Sequence, residues 1–171
     1  MIRVLLCSAT LIMAAHQPAH AVGALVAATK NMSLAAEICL RNYRTETGLP
    51  DAFRTAGFSV SAGLDAGFFN FEGPQVWGGF STDTTEGYCY VQSGDVSLVI
   101  AEEMGLRLAN TLFGEDVVEL GNPELPVGQP APPCDGLSIF APQQLIRITY
   151  SAAGNSGECL TDGSSAMIIQ M

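Results

Sequence analysis

Two hydrophobic rhythms alternate along this chain. Between Ser33 and Thr45 the apolar residues Leu34, Ala35, Ile38, Cys39 and Tyr43 recur at helical spacing, with Glu37, Arg41 and Arg44 on the other side. This predicts an amphipathic helix, stopped near Gly48. Pro50 and Asp51 suit the first turn of a short second helix, PDAFRTA, that ends at Gly57. Short extended runs follow at 58–61, 68–72, 76–80 and 88–92, separated by turn-rich breaks at 62–67, 73–74 and 82–87. They predict an antiparallel meander. The adjacent Gly78 and Gly79 argue against the third run as a strand, because glycine gives a strand no side chain to pack.

The helical rhythm then returns. Val96 to Phe113 predicts the strongest helix, capped by Asp95 or Ser93, with a polar strip of Glu103, Arg107, Asn110 and Thr111. Glu103 and Arg107 form an i,i+4 pair. Glu102 falls in the apolar arc and needs either a partner, with Arg41 and Arg147 as candidates, or a place on the rim. Strand patterns resume at 116–120, 137–141, 145–151 and 166–171. A loop from Gly121 to Asp135 holds five of the nine prolines and reads as a stiff connection between strands. Ser33-Leu34, Ala36-Glu37 and Leu40-Arg41 echo Ser97-Leu98, Ala101-Glu102 and Leu106-Arg107. The expected fold is α+β, with helices packed on an antiparallel sheet and two similar helix-plus-four-strand halves at 31–93 and 94–171.

Ahead of this body stands a different pattern. Met1-Ile2-Arg3 gives a positive start, Val4 to Ala15 a short apolar core, and Ala19-His20-Ala21 a small-residue exit. That order predicts a signal peptide over 1–21 and a mature domain over 22–171, secreted or periplasmic. Two alternatives stay open. One is a retained membrane anchor, although the apolar run is shorter than the roughly 20 residues a spanning helix needs. The other is a cut after Ala28, since Val22 to Ala28 is also small and apolar. Cys7 sits inside the apolar core and reads as a residue removed with it.

Cleavage after Ala21 would remove both histidines and Arg3. Six basic residues would then face seventeen acidic ones, a formal charge of −11. Without histidine the mature chain holds no Ser-His-Asp or Cys-His nucleophile and no histidine-ligated metal. No cofactor is expected. Sparse cations on an anionic chain argue against nucleic acid and against an anionic membrane surface. The acidity itself serves solubility, or attracts a basic partner.

Cys39, Cys89, Cys134 and Cys159 remain, an even count that suggests two disulfides in an exported chain. Three pairings are open. Cys39–Cys89 and Cys134–Cys159 are favoured, because each then lies within one half. If Cys89 points to the first helix, strand alternation turns Val91 the same way and sends Tyr88, Tyr90 and Gln92 to the opposite sheet face. Trp77 joins them if its strand pairs in register. Trp77, Tyr88 and Tyr90 are therefore the candidate partner-binding residues. The opposing expectation is that this face packs against the second half as core.

The cysteine inside the first helix, Ala56-Gly57-Phe58, Gly87-Tyr88-Cys89-Tyr90-Val91 and Cys134-Asp135-Gly136 together resemble small uncharacterised exported proteins of alphaproteobacteria. The resemblance implies bacterial export and a two-disulfide α+β body, and no activity. The repeated helix-and-four-strand order is also similar to the architecture of secreted beta-lactamase inhibitor proteins, with a different cysteine placement. The first functional expectation is a non-catalytic binding or interaction module with a protein or small-molecule partner. The second is a hydrolase using paired carboxylates, and the third a structural envelope protein. Asp65, Asp83 and Glu86 lie in turns, without a recognised calcium loop.

Overall fold

The computed structural model of the chain describes residues 19–83, 87–121, 134, 136–154 and 159–171, with side chains from residue 22 onward. The apolar segment of the expected signal, most of the proline-rich loop and Glu86 lie outside the described residues. Helix α1 (Ala19–Arg41) leads through a 3-10 turn (Glu46–Gly48) into α2 (Leu49–Thr55). Strands β1 (Ser59–Ala62), β2 (Phe68–Gly73), β3 (Val76–Ser81) and β4 (Tyr88–Ser93) follow. Helix α3 (Leu98–Phe113), a 3-10 turn (Glu115–Val117) and strands β5 (Val118–Leu120), β6 (Leu137–Ala141), β7 (Gln144–Ser151) and β8 (Ser165–Gln170) complete the chain.

All eight strands form one antiparallel sheet in the order β1-β2-β3-β4-β8-β7-β6-β5. The chain thus repeats helix-then-meander, and the last strands of the two meanders pair from Tyr88↔Gln170 to Ser93↔Ser165. The second half therefore extends the sheet sideways. Among the described residues no helix or strand of the second half lies over Tyr88, Tyr90 or Trp77, which are half-buried or exposed and not core.

Helices cover one sheet face. Ala28, Met32, Ala35, Ala36, Cys39 and Leu40 of α1 are fully buried, as are Ala101 and Ala109 of α3. Ala101, Gly105 and Ala109 recur every four residues, and these small side chains bring α3 close to the strands. Phe53 of α2 stacks on Phe71 (ring centroids 4.3 Å apart) and Phe80 (5.0 Å), with Phe58 edge-on at 5.4 Å. Such ring packing adds roughly 0.5–1.5 kcal/mol per pair beyond burial.

Both favoured disulfides are present. Cys39–Cys89 ties α1 to β4, with Cα atoms 6.2 Å apart, and Cys134–Cys159 joins the two loop segments flanking β6 and β7, at 5.9 Å. By loop entropy, closing 50 and 25 residues contributes about 4 and about 3.5 kcal/mol.

Several local expectations are revised. Helix α1 starts at Ala19, well before Ser33, because alanines continue the helical pattern and Ala28 is fully buried. A cut after Ala28 would thus remove a core residue, whereas a cut after Ala21 removes no described core residue. The α3 cap position is Ser97, with no side-chain cap bond. Ser93 instead donates to the Gln75 carbonyl (2.8 Å) and accepts from the Asp95 N–H (3.2 Å). Among the described residues the ion pairs are Arg41–Glu37 and Arg54–Asp51, so Glu103 and Arg107 do not close, and Arg41 is not Glu102's partner. Arg147 faces away from α3, on the opposite sheet side. Glu102 is half-buried, and its charge acts on Tyr150.

Tyr150 is 4% exposed, and its hydroxyl has no hydrogen-bond partner among the described residues. It points at Gly105, where no side chain would fit. Burial first, and the Glu102 charge second, push its ionisation well above the ordinary 10.0. A raised folded-state pKa keeps the proton on, so stability is full below pH about 10 and falls as pH rises beyond it. Tyr150→Phe is expected to leave stability unchanged or raise it by about 1 kcal/mol near neutrality. It should also flatten the loss of urea midpoint between pH 9 and pH 11, roughly the window in which free tyrosine ionises. Equal alkaline losses in both proteins would contradict this account. Stepwise reduction gives a second test. Cys39 and Cys89 are fully buried, while Cys159 is exposed and Cys134 half-buried. Alkylation with mass mapping should therefore trap a species open at Cys134–Cys159 and closed at Cys39–Cys89.

Candidate functional site

Alternation around Cys89 decides what the uncovered face carries. Cys89, Val91 and Ser93 turn toward the helices, so Tyr88, Tyr90 and Gln92 turn outward. Register transmits that choice across the sheet. Trp77 pairs with Gln92, Gly79 with Tyr90, Glu72 with Trp77, and Asn70 with Gly79. All therefore share the outer face. Trp77 is 41% exposed, and Tyr88 and Tyr90 are half-buried. The three residues singled out from the sequence thus stand on one face.

Phe68 completes the group. Its ring stacks on Tyr90 (6.3 Å, 15° between planes), and Tyr90 meets Tyr88 at 5.8 Å. Gly79 lies beneath: a Cβ there would sit 2.6 Å from the Phe68 ring and 2.8 Å from that of Tyr90. On the helix side, a Cβ at Gly78 would lie 2.6 Å from the Phe71 ring. The paired glycines therefore do not break β3. They make room for rings on both faces, which supply the packing the glycines lack.

Sequence reasoning missed Phe68, Asn70 and Glu72 as neighbours of Trp77. The signal was the two-residue turn Pro74-Gln75, with Gln75 at φ 59°, which sets Gly73 opposite Val76 and fixes every pair beyond.

Three adjoining hollows ring the aromatic group, all open to solvent. The first, ≈ 350 Å³, lies among Phe68, Tyr88, Tyr90, Gln92, Ser151 and Ile168. The second, ≈ 530 Å³, adds Asp65, Ser81, Asp83 and Gln170 beyond Phe68 and Tyr88. The third, ≈ 330 Å³, runs past Tyr90 to Trp77, Asn70, Glu72 and Ser59. The loop after β7 supplies one wall. The Gly154 N–H donates to Gln92 Oε1 at 2.6 Å, burying Gln92, Ser151 and Ala166. Farther along, Asp162 accepts from the Ser164 hydroxyl (2.6 Å) and N–H (2.9 Å), which lowers its pKa. The Cys134–Cys159 bridge anchors this loop.

Burial raises the pKa of Tyr90, and burial plus the nearby Tyr90 raises that of Tyr88. Both phenols therefore stay neutral through physiological pH and offer O–H donors beside ring faces. Asp65 and Asp83 share one hollow, but both are exposed. Neither is buried as a general acid at neutral pH would need to be. Among the described residues no three His, Cys, Asp or Glu side chains gather as a metal site, and no helix is long and apolar enough to cross a membrane.

Gly79→Ala is expected to cost about 1–3 kcal/mol, because the added methyl must displace two rings. Gly94→Ala, where a Cβ meets nothing within 4 Å, should stay within about 0.5 kcal/mol. Urea titrations of the two variants check the contrast, and equal midpoints would refute it.

No protein-family model, no curated protein and no solved structure matches the chain.

Proposed function

We propose that this protein is an exported, non-catalytic binding module whose open sheet face, over the first meander, takes a partner. The observation that carries this reading is the continuous Phe68–Tyr90–Tyr88 ring group with Trp77 beside it, on a face that none of the described helices covers. Tyrosine and tryptophan give large rigid contact area at low entropic cost, with a polar tip for hydrogen bonding. The two disulfides and the export pattern of residues 1–21 support a secreted or periplasmic location, an oxidising setting in which such bridges persist. The hydrolase reading has one observation in its favour, the shared placement of Asp65 and Asp83 on one hollow. Their exposure makes binding the preferred reading.

Site-specific photocrosslinking tests the proposal. A photoreactive side chain is placed at Tyr88, at Asn70, or at Val99, which is 58% exposed on the helix side. Each protein is then irradiated in the exported fraction of its host. Adducts are expected from positions 88 and 70 and not from 99, and they should vanish in a Trp77→Ala background that keeps its fold at a cost of about 1 kcal/mol. Adducts only from Val99, or none from any position, would overturn the reading.

A further inference from the structure

Five of the six basic residues described lie on or beside the helix layer. Of the basic residues described, Lys30, Arg41, Arg54 and Arg107 lie on helices, and Arg44 follows α1 and donates to the Pro142 carbonyl. Carboxylates of the helix layer have cations among them, as in Arg41–Glu37 and Arg54–Asp51. The outer face of the first meander is different. Asp65, Glu72 and Asp83 border the aromatic hollows, and no basic residue lines any of the three. The remaining cation, Arg147, stands on β7 of the second meander, separated from Tyr88 by β8. Its Cα lies two strand spacings, about 10 Å, from that of Tyr88.

Ring faces carry negative potential, and carboxylates at their edges add to it. That combination attracts cations and repels anions. Its layout selects further. The hollows lie side by side across β1, β2, β3, β4 and β8, a width of about 19 Å. Each is open, unlike the enclosed cleft that holds a small molecule. An extended segment of roughly six residues would cross the width, at about 3.3 Å per residue. Alternate side chains would then face the rings.

We propose that the partner of this face is a protein bearing an extended cationic segment, whose lysine or arginine side chains seat on Tyr90, Tyr88 and Trp77 between Asp65 and Glu72. This rests on the binding reading above and names the chemistry of the ligand. Each guanidinium or ammonium group would sit on a ring face, with Asp65 accepting the hydrogen bonds of one and Glu72 those of another.

The single tryptophan of the chain, Trp77, lies on this face, so its fluorescence reports occupancy directly. Three probes are titrated into the disulfide-intact protein: an arginine-rich peptide, a glutamate-rich peptide of equal length, and a neutral oligosaccharide. Saturable change is expected with the arginine-rich peptide alone, weakening as salt rises. The pair Asp65→Asn with Glu72→Gln should weaken it about tenfold. Glu103→Gln, on the exposed helix side, should leave it unchanged. Equal weakening by Glu103→Gln would mean attraction to net charge alone and overturn the proposal. So would absence of arginine-peptide binding, or preference for the oligosaccharide. If the photocrosslinks from positions 88 and 70 persist in those cases, only the cationic chemistry falls. If they too are absent, the binding reading falls with it.

Discussion

The antiparallel pairing of β4 with β8 is the contact on which the architecture depends. Each meander alone is a four-stranded sheet with one apolar face and two edges. Joining them through six residue pairs merges the apolar faces into one, broad enough for α1 and α3 to lie on it together. The join also removes an edge from each meander and leaves only β1 and β5 at the margins. Because the seam is in the plane of the sheet, none of the described helices lies on the second face. The open aromatic surface follows from sideways joining rather than stacking.

The Cys39–Cys89 bridge gives that arrangement its polarity. A covalent bond from a helix to one strand residue fixes which face of β4 is inside. Alternation then carries the choice along β4, and register carries it to Trp77 and Phe68. Stability and binding chemistry share a single determinant here, because the same half-turn that buries Cys89 and Val91 presents Tyr88 and Tyr90.

Much of this was legible in the chain, for local reasons. Periodicity located the three helices and eight strands, since each obeys a pattern within a few residues. The favoured cysteine pairs came from keeping each pair within one half, and the outward turn of Tyr88 and Tyr90 came from alternation about Cys89, with Trp77 joining them by register. What was not legible is nonlocal. Nothing near Tyr88 announces that Gln170 lies opposite, because that pair joins residues from separate halves. The same holds for Gln92, buried by a hydrogen bond from Gly154, and for Glu102, whose neighbour Tyr150 comes from β7. Gly78 and Gly79 misled because their compensation is supplied by rings on other strands. The early start of α1 was hidden by alanine, which suits an exported leader and a helix alike.

Those two glycines have a mechanical consequence. Elsewhere in a sheet, a layer of Cβ atoms on each face holds neighbouring side chains off the backbone. At Gly78–Gly79 that layer is missing, and bare backbone alone separates Phe68 and Tyr90 outside from Phe71 inside. Phe71 in turn stacks on Phe53 of α2. Pressure on the outer rings therefore passes through a single thickness of peptide to a helix on the far side. One layer of peptide and the Phe71 ring stand there between the outer rings and α2, a pressure plate with the helix resting on its back.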